Sequence, residues 1–286
     1  MYNRMPVLLS IIGLFATALL GFARVPSAHA AEARVMSYNI KCAPNDETSN
    51  WGARKENLVA DIRATMPDLL GLQEALKNQL DFIAGNLPEY AWIGVARDDG
   101  RERGEYCPIL YRTELYEVVE SGTFWLSETP DIPGKKGWGA ACNRIVTWGK
   151  FRRRANGREF IFACTHFDHV SETARRESAK LVLKFKEEKA AGLPFIITGD
   201  FNSTDTTQAY QAMTQELKDA RKMAESRKGG EFTFPSEKME KQDERVIDYF
   251  FVSDEVGVRE FSIHSNPPKH DPMPSDHFSI DAVLEF

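Results

Sequence analysis

Two short stretches of this 286-residue chain concentrate groups able to do chemistry: Ser275-Asp276-His277-Phe278 near the end, and Gly199-Asp200-Phe201-Asn202. An acid beside a histidine, and an acid two residues before an asparagine at the close of an apolar run, are costly to bury without a task. Asn39, Glu74 and His166 each stand at or just past the end of another apolar run, and Asp248 sits in Val246-Ile247-Asp248-Tyr249. Together these residues offer hard oxygen ligands for a divalent cation, a titratable imidazole and neutral donors for a phosphate. That is what metal-assisted attack of water on a phosphoester requires.

The elements that must position them alternate between strand and helix. Strands are predicted over 33–40, 68–72, 90–95, 108–111, 116–126, 144–153, 159–166, 194–198, 245–252, 258–264 and 278–285, from apolar alternation or short apolar runs. Helices are predicted over 57–66 and 77–87, stopped by Pro67 and Pro88, and over 172–189 and 207–217. Asn156-Gly157 between two alternating runs is a hairpin signal. The Gly/Pro/Lys-rich segments 129–141 and 223–231 read as surface excursions rather than linkers. Runs of β with helices interspersed in both halves suggest two packed sheets with helices outside, in one domain over 31–286. Taken singly, each candidate has a structural explanation: an Asn in a turn, a Glu at a helix cap, a His flanked by Phe in the core. Their joint occurrence at strand ends is what points to a site.

Composition narrows the setting. With 42% hydrophobic and 11% aromatic residues the chain can build a sizeable core. Residues 1–30 have the form of a removable leader: Arg4, an apolar run from Val7 to Phe22, and Ala28-His29-Ala30 as a cleavage site. The run is shorter than the ~20 residues of a spanning helix, which favours cleavage over an uncleaved anchor. The protein is therefore expected to be exported, to periplasm or medium, as a monomer without lasting membrane association. Removing Arg4 and Arg24 leaves 34 basic against 42 acidic residues, a net charge of −8. Such a balance argues against a tight, processive grip on a polyanion, though not against a nuclease whose bound cation supplies positive charge. Cys42, Cys107, Cys142 and Cys164 match no zinc spacing and allow either one or two disulfides or buried free thiols.

The ordered series Ser37-Tyr38-Asn39-Ile40, Leu72-Gln73-Glu74, Thr165-His166-Phe167-Asp168-His169, Gly199-Asp200-Phe201-Asn202, Val246-Ile247-Asp248-Tyr249 and Ser275-Asp276-His277-Phe278 resembles the endonuclease/exonuclease/phosphatase family, to which deoxyribonuclease I belongs. The match runs from Asn39 to His277, and Phe124 to Pro130 with Gly137-Trp138 resembles a bacterial exported branch. The resemblance implies a four-layer α/β/β/α sandwich and a metal-dependent phosphoesterase. It assigns Glu74 as the principal ligand of Mg²⁺ (Mn²⁺ being the alternative), assisted by Asn39 and Asp276. Asp200 would orient or deprotonate the attacking water, with Asn202 holding that water or a phosphate oxygen. Asp248 would hydrogen-bond His277, and His166 would contact the phosphate.

Some positions depart from that pattern or add to it. Lys41 stands where several nucleases of the family carry an acid. His169 gives the spacing of a transition-metal pair with His166, but lacks a third soft ligand nearby and is taken as a substrate contact. Arg144 is a candidate phosphate clamp, since its fork matches phosphate oxygens, and Tyr106 a candidate phosphate contact or core residue. Trp125 and Trp138 are candidates to stack a ring, Trp125 with a core role as the alternative. Phosphodiester cleavage in nucleic acid or its fragments is the leading expectation. A phosphatase or phospholipase C-type enzyme on a lipid, inositol or sugar phosphate is the alternative, and an inactive binding module on the same scaffold the third.

Overall fold

Apolar alternation along the strands decides the layering. The computed structural model describes Met1 and residues 32–45, 49–235, 245–265 and 271–286; apart from Met1, the leader-like segment and its cleavage site lie outside the described residues. Thirteen strands are described: β1 (Glu32–Asn39), β2 (Leu69–Gln73), β3 (Tyr90–Ile93), β4 (Ile109–Arg112), β5 (Tyr116–Trp125), β6 (Ile145–Arg153), β7 (Glu159–His166), β8 (Phe195–Asp200), β9 (Lys218–Asp219), β10 (Ser226–Gly229), β11 (Asp248–Val252), β12 (Gly257–Ile263) and β13 (Ile280–Glu285). The helices are α1 (Trp51–Thr65), α2 (Lys77–Asn86), α3 (Glu172–Ala190), α4 (Gln208–Glu216) and the short α5 (Ala220–Met223). One sheet has the order β10-β12-β13-β1-β2-β4-β3 and the other β5-β6-β7-β8-β11-β9.

Each sheet is apolar on both faces, so each must be covered twice. Val35 and Leu69 of the first sheet pack with Phe160, Phe162, Ile196 and Phe250 of the second to form the core between them. Their chain neighbours Met36 and Leu70 point outward and pack with Leu58, Val59 and Ile62 of α1 and Leu80 and Ile83 of α2. On the other outer face Ala163 and Ile197 pack with Ala179, Val182 and Leu183 of α3 and Met213 of α4. This is the expected four-layer α/β/β/α sandwich.

The sheets approach so closely near the strand ends that a side chain is excluded at Gly71, where a Cβ would lie 2.8 Å from Thr198 and 2.9 Å from Cys164. Gly199, at φ +154°, runs against β7 so tightly that a Cβ would overlap the carbonyl oxygen of Thr165. Both glycines bring the backbone before Glu74 and Asp200 into register at the seam.

Helix α1 starts at Trp51, six residues before the predicted Asn57, without a side-chain cap. Tertiary contacts replace the missing cap signal. The Arg54 guanidinium lies over the Trp51 ring at 5.0 Å and donates to the carbonyls of Ile40, Lys41, Ser49 and Pro274. The excursion predicted over 223–231 instead contains β10, a strand at the edge of its sheet paired in parallel with β12. Its four residues are exposed and polar, so no apolar alternation announced it. All four cysteines are free, and Cys107 and Cys164 are buried thiols hydrogen-bonded to each other.

Phe160 is fully buried between the sheets and meets the rings of Tyr116, Phe151 and Phe286 at 5.5, 5.8 and 4.8 Å. Truncation there leaves a cavity that surrounding rings cannot fill. Phe160→Ala is expected to cost about 3–5 kcal/mol in denaturant unfolding, whereas a loss under about 1 kcal/mol would place the shared core elsewhere.

Candidate active site

Strand direction gathers the candidate residues at one edge. β1 and β2 run parallel and deliver Asn39 and Glu74; β7 and β8 run parallel and deliver His166 and Asp200. β11 runs antiparallel to β8, so its first residue, Asp248, stands opposite Asp200. β13 runs antiparallel to β1, which puts the preceding His277 at the same edge. Arg54 ties the loops after β1 and before β13 together through Ile40 and Pro274, and the Ser275 hydroxyl donates to the Asn39 carbonyl at 2.6 Å.

The Asn39 amide donates to Glu74 Oε1 at 3.1 Å and to Asp200 Oδ2 at 3.0 Å. Its oxygen accepts from the Lys41 N–H at 3.1 Å. Carboxylates only accept and a backbone N–H only donates, so the neighbours fix this orientation. Asn39, expected to assist as a metal ligand, bridges two carboxylates through its amide while its oxygen accepts one hydrogen bond from its own loop. Glu74, with φ +64°, also accepts from the Cys42 N–H at 2.9 Å. Burial opposes its charge, yet the Cys42 and Asn39 donors hold its carboxyl below the usual range.

His277 lies between two acids, with Nδ1 at 2.9 Å from Asp248 Oδ2 and Nε2 at 3.7 Å from Asp200 Oδ2. Burial works against its charge, but Asp248 and then Asp200 outweigh it and push the imidazole up to about 10. Asp200 goes the other way: burial and the neighbouring Asp248 charge raise it to about 7, tempered by His277. His166 is held well below its ordinary value by burial and by the Arg144 and Arg97 charges. Asn202 donates to the Phe167 carbonyl at 3.0 Å and lies 3.0 Å from His166 Nε2, which also stands 3.4 Å from Asp200 Oδ2, while His166 Nδ1 is buried with no hydrogen-bond partner. The Asn202 N–H donates back to Asp200 Oδ1 at 2.8 Å, with Asn202 itself at φ +46°.

These groups open into a cleft of about 310 Å³. Arg144, only 4% exposed, donates through Nη2 to His169 Nδ1 at 3.0 Å; its Nε lies 3.8 Å from Asp168 Oδ2, and neither Nε nor Nη1 has a hydrogen-bond partner. Asp168 accepts from the backbone N–H groups of Ala141, Cys142, Val170 and Ser171, fixing the loop that carries Arg144. Asp276 lines the cleft and pairs with Lys41 at 3.5 Å. Sequence reasoning missed Arg97, Glu105, Phe234 and Arg245, which complete the lining. Arg97, Glu105 and Phe234 come from loops without apolar periodicity and Arg245 from the first position of the strand predicted over 245–252, so only their charge or ring could have drawn attention.

Tyr106 does not belong to the cleft. It is 1% exposed, packs edge-on against Trp92 and donates its hydroxyl to the Arg101 carbonyl at 3.0 Å, taking the core role. Trp125 is likewise core, its indole donating to the Arg97 carbonyl at 2.6 Å. His166 and His169 hold separate partners, Asn202 and Arg144, rather than facing a shared ion.

Two sets of groups could be weighed as a divalent-cation site. Asp200, Asp248 and His277 offer atoms within 4.8 Å of one another. That set is buried, and its imidazole is already engaged by Asp248 at 2.9 Å, which raises its affinity for a proton. Glu74 and Asp276 fit better: both are cleft carboxylates, Glu74 is kept ionised, and Asp276 is 25% exposed at its side chain. Mg²⁺ takes few protein carboxylates and keeps its waters, as such a pair permits. The His277 environment makes a direct prediction for the metal-free protein. Its imidazole resonances should titrate near 10 by NMR and move down by more than a unit in Asp248→Asn; titration near 6.5 in the parent protein would contradict the buried cation.

Comparison with known proteins identifies the family. The sequence pattern described as Endonuclease/Exonuclease/phosphatase family matches residues 36–277. An endonuclease/exonuclease/phosphatase structure from Bacteroides vulgatus is 41% identical with a TM-score of 0.85, over 90% of this chain and 99% of that one. A mannosyl-6-phosphatase from Bacteroides thetaiotaomicron is 37% identical with a TM-score of 0.81, over 89% of this chain and all of that one. Nocturnin of Drosophila melanogaster is 26% identical over 183 residues, which is 60% of this chain but only 27% of that protein. Endonucleases, exonucleases and phosphatases all cleave phosphoester bonds; the chain is a phosphoester hydrolase and belongs to the endonuclease/exonuclease/phosphatase family.

Proposed function

We propose that the protein is an exported, divalent-cation-dependent phosphatase acting on the monoester of a small polyhydroxylated alcohol, with a sugar phosphate as the substrate class. The observation that carries this reading is Arg144, a buried guanidinium with two unpartnered N–H directions at a cleft of about 310 Å³. That volume stands at the low end for ligand sites. Arg97, Arg245 and the His277 cation line the same cleft, and a terminal phosphate presents more charge and more free oxygens to them than a diester does. The net charge of −6 over the whole chain gives little affinity for a long polyanion. Likeness to the mannosyl-6-phosphatase over its full length supports the same choice over the nucleic-acid substrate expected first. Export rests on residues 1–30.

Arg144 and His166 would hold phosphate oxygens. The Asp248 carboxylate keeps His277 cationic, so that Nε2–H donates to a further oxygen as charge grows on it. Asp200 takes a proton from the attacking water, oriented with help from Asn202. A divalent ion held by Glu74 and Asp276, Mg²⁺ being the first choice, supplies charge compensation at phosphorus and the leaving oxygen when bound.

Activity should therefore be released by Mg²⁺ and abolished by EDTA. Glu74→Gln and His277→Ala should each lower kcat by about 10²-fold or more with the fold intact. Arg144→Ala should lower kcat/KM by about 10²-fold, mostly through KM. Because Asp200 must be ionised, the rate should rise with pH along a limb at or below about 7, the bound ion lowering it, and Asp200→Asn should remove that limb. Phosphate release from sugar phosphates, nitrophenyl monoesters and diesters, DNA and RNA checks the proposal. Cleavage confined to diesters or nucleic acid would overturn it.

A further inference from the structure

Among the cleft-lining residues, Glu105 has no part in the bond-breaking steps above. The turn between β3 and β4 folds back on itself: the Arg97 N–H donates to the Glu105 carbonyl at 3.0 Å and the Asp98 N–H to the Arg103 carbonyl at 3.0 Å. Three neighbours lock this turn. The Trp125 indole donates to the Arg97 carbonyl at 2.6 Å, Asn143 donates to Asp98 at 2.8 Å, and the Tyr106 N–H donates to the Ala75 carbonyl at 2.7 Å, just beyond Glu74. The turn thereby presents two side chains to the cleft as a fixed unit, Arg97 Nη1 donating to Glu105 Oε2 at 2.6 Å.

That pair is incompletely used. Arg97 Nε is buried with no hydrogen-bond partner, only the Asp98 carboxylate at 4.0 Å, and among the described residues no donor reaches Glu105 Oε1. The two side chains are 15% and 16% exposed, so water satisfies them only in part. A carboxylate accepts from hydroxyls and repels phosphate, and a guanidinium donates; an alcohol, which does both, suits the pair.

The unused hydrogen-bonding groups of this pair face the part of the substrate that carries hydroxyls rather than the phosphate. In a phosphate monoester every hydroxyl belongs to the alcohol, and Arg97 and Glu105 line the same cleft as Glu74 and Asp200 with hydrogen-bonding capacity left over. From this geometry we infer that Glu105, held by Arg97, is the specificity-determining residue, hydrogen-bonding the hydroxyls of the leaving alcohol and selecting polyol over simple alkyl phosphates. This inference rests on the phosphatase reading and names which half of the substrate is recognised, and where.

The test compares mannose 6-phosphate with butyl phosphate, whose leaving group is also an alkoxide but bears no hydroxyls. Wild type should prefer mannose 6-phosphate, and Glu105→Gln should shrink that preference roughly ten- to hundredfold, chiefly by raising KM for the sugar ester. Glu105→Asp, which keeps the charge, should restore part of it, and thermal unfolding of both variants confirms that they fold. A wild-type preference that Glu105→Gln leaves intact, or equal handling of the two esters by wild type, overturns the inference while the phosphatase reading stands. Cleavage of diesters only, by wild type, overturns both.

Discussion

One amide holds the two halves of this molecule to a common purpose. Asn39 ends a strand of one sheet, Asp200 ends a strand of the other, and the Asn39 side chain donates to Asp200 and to Glu74 at once. Two buried carboxylates this close would repel each other and push for protonation. A neutral bifurcated donor between them lowers that repulsion without adding a charge. The consequence is a division of labour: Glu74, with a second donor from the Cys42 N–H, stays ionised for a cation, while Asp200 is raised to about 7 and can exchange a proton. The site therefore exists only while the sheets are packed, and the close approach at Gly71 is part of the catalytic geometry as well as of the core.

The second tie across the seam is ionic. His277 approaches from the loop before β13 in the first sheet, and Asp248 opens β11 in the second. Removing either partner would leave an uncompensated charge in a dry place, so the pair is worth more as a unit than its single contact suggests. Around this centre several non-glycine residues, Lys41, Glu74 and Asn202 among them, adopt positive φ. Such strain is tolerated where the surroundings over-determine the conformation, and here Arg54 and Asp168 do so by gathering carbonyls and N–H groups from separate loops.

Much of this was legible in the sequence because the strands announce themselves and the acids sit at their ends. The apolar run before Asp200 is a fully buried strand, and the order of strand ends predicted where Glu74, His166 and Asp200 would meet. The helix starting at Trp51 was not legible, because its first turn is fixed by Arg54 contacts rather than by a cap. Nor was β10, whose exposed polar residues join a sheet through backbone bonds alone. Tyr106 illustrates the opposite error: a polar tip near the motifs suggested a ligand contact, while the ring serves the core and the hydroxyl closes a turn. The oxygen–nitrogen choice at Asn39 depends on which neighbours donate, and a one-dimensional pattern cannot contain it. Arg97 and Glu105 were hidden for a related reason, since the turn that carries them reaches the cleft only after β3 and β4 pair.

The most direct measurement is a crystal structure of the protein grown with Mn²⁺ and inorganic phosphate, the ion located by its anomalous signal. The account predicts the ion on the Glu74 carboxylate with Asp276 on its other side, and phosphate oxygens on Arg144 and His277 Nε2. An ion seated among Asp200, Asp248 and His277, or a phosphate bound away from Arg144, would contradict it.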